Sequence, residues 1–141
     1  AMAVGASQQK VALMRRFGEA VGMAFQIQDD ILDYTRTAHT GKPANNDLRE
    51  GKITLPLLAV LDKAPAELRT ELLGRLACCH DDEESVEYLQ RTVENEGGLT
   101  FAAEVMRSYI ARAVEMLSEY EASDYRTALA NLCAYIAERD R

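Results

Sequence analysis

The chain has 141 residues, 48% of them hydrophobic, which is long enough for one single-core domain spanning 1–141. Its formal net charge of −7 argues against a nucleic-acid partner and is hostile to an anionic substrate unless metal ions neutralise it. No apolar run approaches the ~20 residues needed to cross a bilayer, and the first residues do not read as a signal peptide. The three cysteines, Cys78, Cys79 and Cys133, lack metal-ligand spacing and read as reduced thiols of a cytoplasmic protein.

Leu, Ala, Glu and Arg are abundant, β-branched runs are scarce and prolines are few, which predicts an all-α fold, a helical bundle. Ala1-Met2 reads as a vector-derived residue before an initiator methionine, so the chain is expected to be a piece of a longer protein. Ser7 can cap a first helix from about Gln8 to Tyr34. The second half of that helix is apolar on nearly every face and is expected to be central and buried. From Thr35 to Lys52 the apolar period disappears, and Gly41, Pro43, Asn45, Asn46 and Gly51 predict a long loop of the kind that carries function. Thr54 can cap a short buried helix from Leu55 to Leu61, with Pro56 tolerated in its first turn. Pro65 opens an amphipathic helix to about Cys79, and the acidic run Asp81 to Glu84 reads as the solvated start of a helix ending near Glu96. Gly97-Gly98 supply its stop. Thr100 and Ser123 can cap two further helices, to about Tyr120 and Arg139. His39 and His80 read as solvated, and Tyr88, Tyr109, Tyr120, Tyr125 and Tyr135 as packing residues.

The chemistry concentrates on the first helix. With about 3.6 residues per turn, Asp29 and Asp33 share one face roughly 6 Å apart along the axis, Asp30 stands about 100° round, and Gln26 lies a turn earlier. Two unit charges at about 6 Å repel by roughly 3 kcal/mol at an effective dielectric constant of about 20. An arbitrary Asp-Asp-x-x-Asp is most often a solvated face, but here the neighbours are Phe25, Ile27, Ile31 and Leu32. A divalent cation explains such a cluster, because it reverses the local field and takes oxygen ligands. Lys42 and Lys52, in the glycine-bearing loop that follows, make a plausible anion clamp for a phosphate group.

The order Phe25-Gln26-x-Gln28-Asp29-Asp30-x-x-Asp33, then Gly41-Lys42-Pro43, Asn46-Asp47 and Gly51-Lys52-x-Thr54-Leu55-Pro56-Leu57, resembles the trans-isoprenyl (polyprenyl) diphosphate synthases at their second aspartate-rich motif. The resemblance is specific from about Gly22 to Leu58. It implies an isoprenoid-synthase-like bundle and a magnesium-dependent prenyltransferase that condenses an allylic diphosphate with isopentenyl diphosphate. By resemblance, Asp29 and Asp33 are magnesium ligands, with Asp30 beside them and Asp47 behind. Lys42 and Lys52 hold the departing diphosphate, and Phe25 and Gln26 face the carbocation and the isopentenyl group. A water-excluding bundle suits that chemistry.

One departure from the family is evident: Asp29-Asp30-x-x-Asp33 is the only aspartate cluster in an apolar helix of this chain. Family members carry another in an N-terminal half, so the resemblance implies a C-terminal fragment, inactive alone. Its exposed apolar face is expected to drive homo-oligomerisation. A terpene cyclase fragment and a catalytically silent helical partner subunit are the alternatives. The Gly-Lys-Pro and Gly-Lys-x-Thr elements favour the synthase over the first, and the intact aspartates over the second.

Overall fold

The computed structural model describes residues 5–35 and 44–138, and the regular structure among them is all helical, without a strand. In chain order the helices are α1 (Gln8–Thr35), α2 (Asn46–Arg49), α3 (Leu55–Lys63), α4 (Ala66–Cys78), α5 (Glu83–Asn95), α6 (Gly98–Leu117) and α7 (Asp124–Glu138). The described residues within 29–103 form one compact unit, and those within 1–28 and 104–138 form another. Among the described residues no helix is long and apolar enough to cross a membrane.

In the unit of residues 29–103, α4 and α5 pack side by side, and α2 and α3 each touch α5. The core gathers Leu48 of α2, Leu57, Val60 and Leu61 of α3, Leu72 and Leu76 of α4, and Val86, Leu89 and Val93 of α5, together with Tyr34. The spacing of three and four residues along α4 and α5 is the apolar stripe that makes each an amphipathic helix. Arg69 of α4 closes the end of α3 by donating to the carbonyls of Leu61, Asp62 and Ala64, oxygens that the last turn of a helix leaves without a backbone donor.

Four local expectations change or gain detail in this unit. The stretch from Thr35 to Lys52 is not loop throughout, because Asn46–Arg49 closes a turn of helix. Thr54 holds the N-cap position of α3 without bonding through its side chain; its hydroxyl faces Tyr34 instead. The glycine pair divides its work. Gly97, at φ +75°, takes the left-handed position that ends α5, while Gly98 already begins α6, two residues before Thr100. A Cβ on Gly98 would fall 2.5 Å from the Pro56 carbonyl oxygen, so α3 and α6 approach there as only glycine permits. Lastly, the acidic run does more than face solvent. Asp82 caps α5 by accepting from the Glu84 N–H, and Glu83 accepts from both terminal nitrogens of Arg49 on α2, at 2.6 and 2.8 Å.

In the other unit, Phe17, Ala20, Ala24 and Ile27 of α1 are buried, as are Met106, Ile110, Ala113 and Leu117 of α6 and Cys133 and Ile136 of α7. Each set follows helical spacing. The expected caps are present: Ser7 accepts from Lys10 N–H at 3.4 Å and Ser123 from Arg126 N–H at 3.2 Å. The Tyr120 hydroxyl donates to the Lys10 carbonyl at 3.1 Å. Tyr125 and Tyr135 are 85% and 64% exposed, contrary to the packing role expected of them. The second half of α1 is likewise not buried all round. Met23 is 47% and Phe25 44% exposed, because a helix presents its side chains in every direction and this chain covers one strip of it. All three cysteines are free thiols, Cys78 exposed and Cys79 and Cys133 buried.

Candidate functional site

The C-terminal turns of α1 carry Asp29, Asp30 and Asp33, and burial separates them: Asp29 and Asp30 are half-buried, whereas Asp33 is 6% exposed. A carboxylate that deep needs directional partners. Asp33 Oδ2 accepts from the Asp47 backbone N–H at 2.9 Å, and the Asp33 carbonyl accepts from the Asn45 N–H at 2.8 Å. Asp33 thus caps α2 across fourteen residues of chain, and its negative charge lies where the first N–H groups of that short helix point.

Asn45 turns the chain into α2 from a left-handed backbone, at φ 60°. Asparagine tolerates that region better than other side chains. It is 5% exposed, and its Nδ2 donates to Gln90 Oε1 at 2.8 Å, while Gln90 Nε2 donates to the Tyr34 carbonyl at 3.1 Å. The Tyr34 ring is 1% exposed. Burial pushes its phenol well above the ordinary value; the nearby Thr54 hydroxyl offsets part of that, and the charges of Asp33, Asp47 and Asp30 add to it.

Beyond α2 the chain folds back at Gly51, where φ is +69°, and the Lys52 N–H reaches the Asp47 carbonyl at 2.8 Å. The Lys52 ammonium lies 2.6 Å from Glu50 and 3.2 Å from Asp47, and these hydrogen bonds, Glu50 first, hold it above its ordinary range. Its side chain remains 55% exposed, so the cation is oriented by carboxylates yet open to solvent.

Asp29, Asp30, Asp33, Asp47 and Lys52 therefore belong to one compact unit, and Asp33, Asp47 and Lys52 are joined by direct bonds. Phe25 and Gln26, exposed on α1, belong to the other unit. Lys42, with Gly41, Pro43 and His39, lies outside the described residues. Among the described residues no three His, Cys, Asp or Glu side chains converge as a ready-made metal site. Sequence reasoning missed Asn45, Glu50 and Gln90 as members of this network. An Asn-Asn pair just before Asp47, of a residue type that tolerates the left-handed region, was a faint signal for the first; a lone Gln on an amphipathic helix gave none for the last.

An all-helical fold with carboxylates at one helix end and a pinned lysine beyond defines a broad class of helical proteins. The chain matches the polyprenyl synthetase family over residues 1–95, and it belongs to that family. It is similar to a short chain isoprenyl diphosphate synthase of Methanothermobacter thermautotrophicus, with 34% identity over 96% of this chain and 42% of that one. It is also similar to an all-trans-nonaprenyl-diphosphate synthase (geranyl-diphosphate specific) of Rhodobacter capsulatus, with 39% identity over 89% of this chain and 38% of the relative. A crystal structure of geranylgeranyl pyrophosphate synthase from Corynebacterium glutamicum, complexed with calcium and isoprenyl diphosphate, superposes with a TM-score of 0.83 at 34% identity, covering 99% of this chain and 43% of that one. The chain spans less than half the length of each of these relatives.

Proposed function

We propose that the chain is the C-terminal part of a magnesium-dependent trans-prenyltransferase, and that it supplies one carboxylate face of the active site. The enzyme joins an allylic diphosphate to isopentenyl diphosphate and yields a longer all-trans polyprenyl diphosphate. The observation that carries this reading is the bonded series Asp33, Asp47 and Lys52, which ties an aspartate-bearing helix to an oriented, solvent-open cation.

The residues present fit a magnesium ion. They offer hard oxygen donors, and magnesium is usually held by one or two carboxylates while water and phosphate oxygens complete its shell. Asp29 and Asp30 would hold it from their half-buried positions, with Asp33 limited to the oxygen that the Asp47 amide does not engage, and Asp47 standing behind. When bound, the ion supplies Lewis-acid polarisation of the diphosphate leaving group. Lys52, and by family resemblance Lys42, bind diphosphate oxygens; a multiply charged diphosphate competes with Glu50 and Asp47 for the Lys52 ammonium. Phe25 and Gln26, earlier on α1, are assigned to the allylic cation and the isopentenyl group by the same resemblance. The exposed Met23 and Phe25 side chains support association with a further apolar surface, in a homo-oligomer.

Prenyl transfer from an allylic diphosphate to radiolabelled isopentenyl diphosphate, with magnesium, tests this in the protein with its upstream coding sequence restored. Extension is expected there and not from this chain alone. Asp29→Ala and Lys52→Ala should each lower turnover by about 10²–10³. Product from this chain alone would make its site complete, and an unimpaired Lys52→Ala would favour a catalytically silent subunit.

A further inference from the structure

We propose that Asn45 and Gln90 are positioning residues that set where Asp47 and Lys52 stand relative to the aspartates of α1; the inference rests on the prenyltransferase reading of that site. Gln90 lies 45 residues beyond Asn45, on a different helix, and outside the stretch that carries the family motif. Its single amide serves two segments at once, accepting from Asn45 through Oε1 and donating to the Tyr34 carbonyl through Nε2. The Tyr34 and Asp33 carbonyls belong to the last turn of α1, where carbonyls take partners from outside the helix; Gln90 bonds one and the Asn45 N–H the other.

Asn45 is held left-handed while it makes these bonds. That conformation persists in a non-glycine residue when its surroundings fix it, and such residues gather at functional sites. Here the fixing comes from Gln90 and Asp33. The turn that Asn45 starts ends, seven residues on, at Lys52, whose N–H and ammonium both bond Asp47. A rotation at Asn45 would displace the Asp47 amide from Asp33 and carry the Lys52 ammonium with it. Gln90 therefore acts on the cation without touching it. Neither the Asn45 nor the Gln90 side chain needs to meet the substrate, so both residues position and neither is catalytic.

Two substitutions break the same bond from opposite sides. Gln90→Met keeps the length of the side chain without its hydrogen bonds, and Asn45→Gly keeps the left-handed backbone without the amide. In each, amide hydrogen exchange at Asp47 and Lys52 should quicken about tenfold, the loss of one buried hydrogen bond, while Leu72 and Leu89 exchange as before. The double variant should be no faster than Gln90→Met, which already removes the shared bond together with the one to the Tyr34 carbonyl. In the longer protein each variant should lower kcat by about 10²-fold, the effect of a displacement near 1 Å. Unchanged exchange at Asp47 and Lys52, equal acceleration at Leu72 and Leu89, additive effects in the double variant, or unimpaired kcat would each overturn the proposal. A wild-type protein without prenyl transfer would overturn the function proposed above, and the exchange measurement would still decide whether the clamp exists.

Discussion

Residues 45–52 and the α4–α5 pair belong to the same compact unit, yet different forces hold them. The first segment buries one large apolar side chain, Leu48, and is otherwise fixed by directional bonds, among them those of Asp33, Asn45, Asp47, Arg49 and Gln90. The pair buries Leu72, Leu76, Val86, Leu89 and Val93 against one another. Apolar burial is non-directional and scales with area, so it sets how stable the unit is. Hydrogen bonds add little net stability but fix orientation, so they set where a few side chains point. A site that must aim a carboxylate and an ammonium gains more from the second kind of support.

The largest effect that would sharpen this contrast is Leu89→Ala, since Leu89 is fully buried. Urea unfolding should show a loss of about 2–5 kcal/mol, while the amide resonances of Asp47 and Lys52 in the folded protein stay where they were. Shifts at Asp47 as large as those beside residue 89 would break the division between the two regions. Gly51→Ala should do the reverse. Nothing lies within 4 Å of the added Cβ, so the cost is that of the backbone at φ +69°, about 1–2 kcal/mol, with the spectral changes confined to residues 47–54.

The smallest effect is the Arg49–Glu83 pair, which ties the polar turn to the helix pair. The Arg49 hydrogen bond holds the Glu83 carboxyl below its ordinary range. The pair's contribution is therefore fully present above the unfolded glutamate value, about 4.3, and is lost as pH falls through the lower folded value. A small stability difference between wild type and Glu83→Gln at pH 7 should shrink as pH falls through the lowered Glu83 value and be gone once the folded carboxyl is protonated, measured by denaturant unfolding at each pH. An unchanged difference at low pH would mean that packing and not charge couples the two regions.

What could be read in advance was what neighbouring residues decide among themselves. Ser7 and Ser123 cap as expected because a cap needs a hydroxyl and an amide three residues on. The aspartates, the Asn46-Asp47 pair and Lys52 were legible as a spaced motif, and with them the family. What stayed hidden depends on distant chain. Gly98 begins a helix where Thr100 was expected to, and the Pro56 carbonyl leaves no room there for a side chain. Thr54 turns its hydroxyl toward Tyr34, and Glu83, still exposed, pairs with Arg49. Gln90 is invisible in a single sequence, since its partners lie 45 and 56 residues away. The second half of α1 was misjudged for a related reason: an apolar pattern states what a helix can bury, and the rest of the chain decides how much of it is covered.

The uneven burial of the three cysteines equips the protein with its own chemical probe. Cys78, at the end of α4, is an exposed thiol, while its neighbour Cys79 and the distant Cys133 are enclosed, and burial raises the thiol pKa of both. The thiolate is the reactive form, so an alkylating dye meets one receptive sulfur at neutral pH and two that react only when the structure opens. A fluorophore can be seated beside the α4–α5 connection without any substitution. The later, slower labelling of Cys79 and Cys133 clocks the opening of the two compact units separately, since each unit contains one of them.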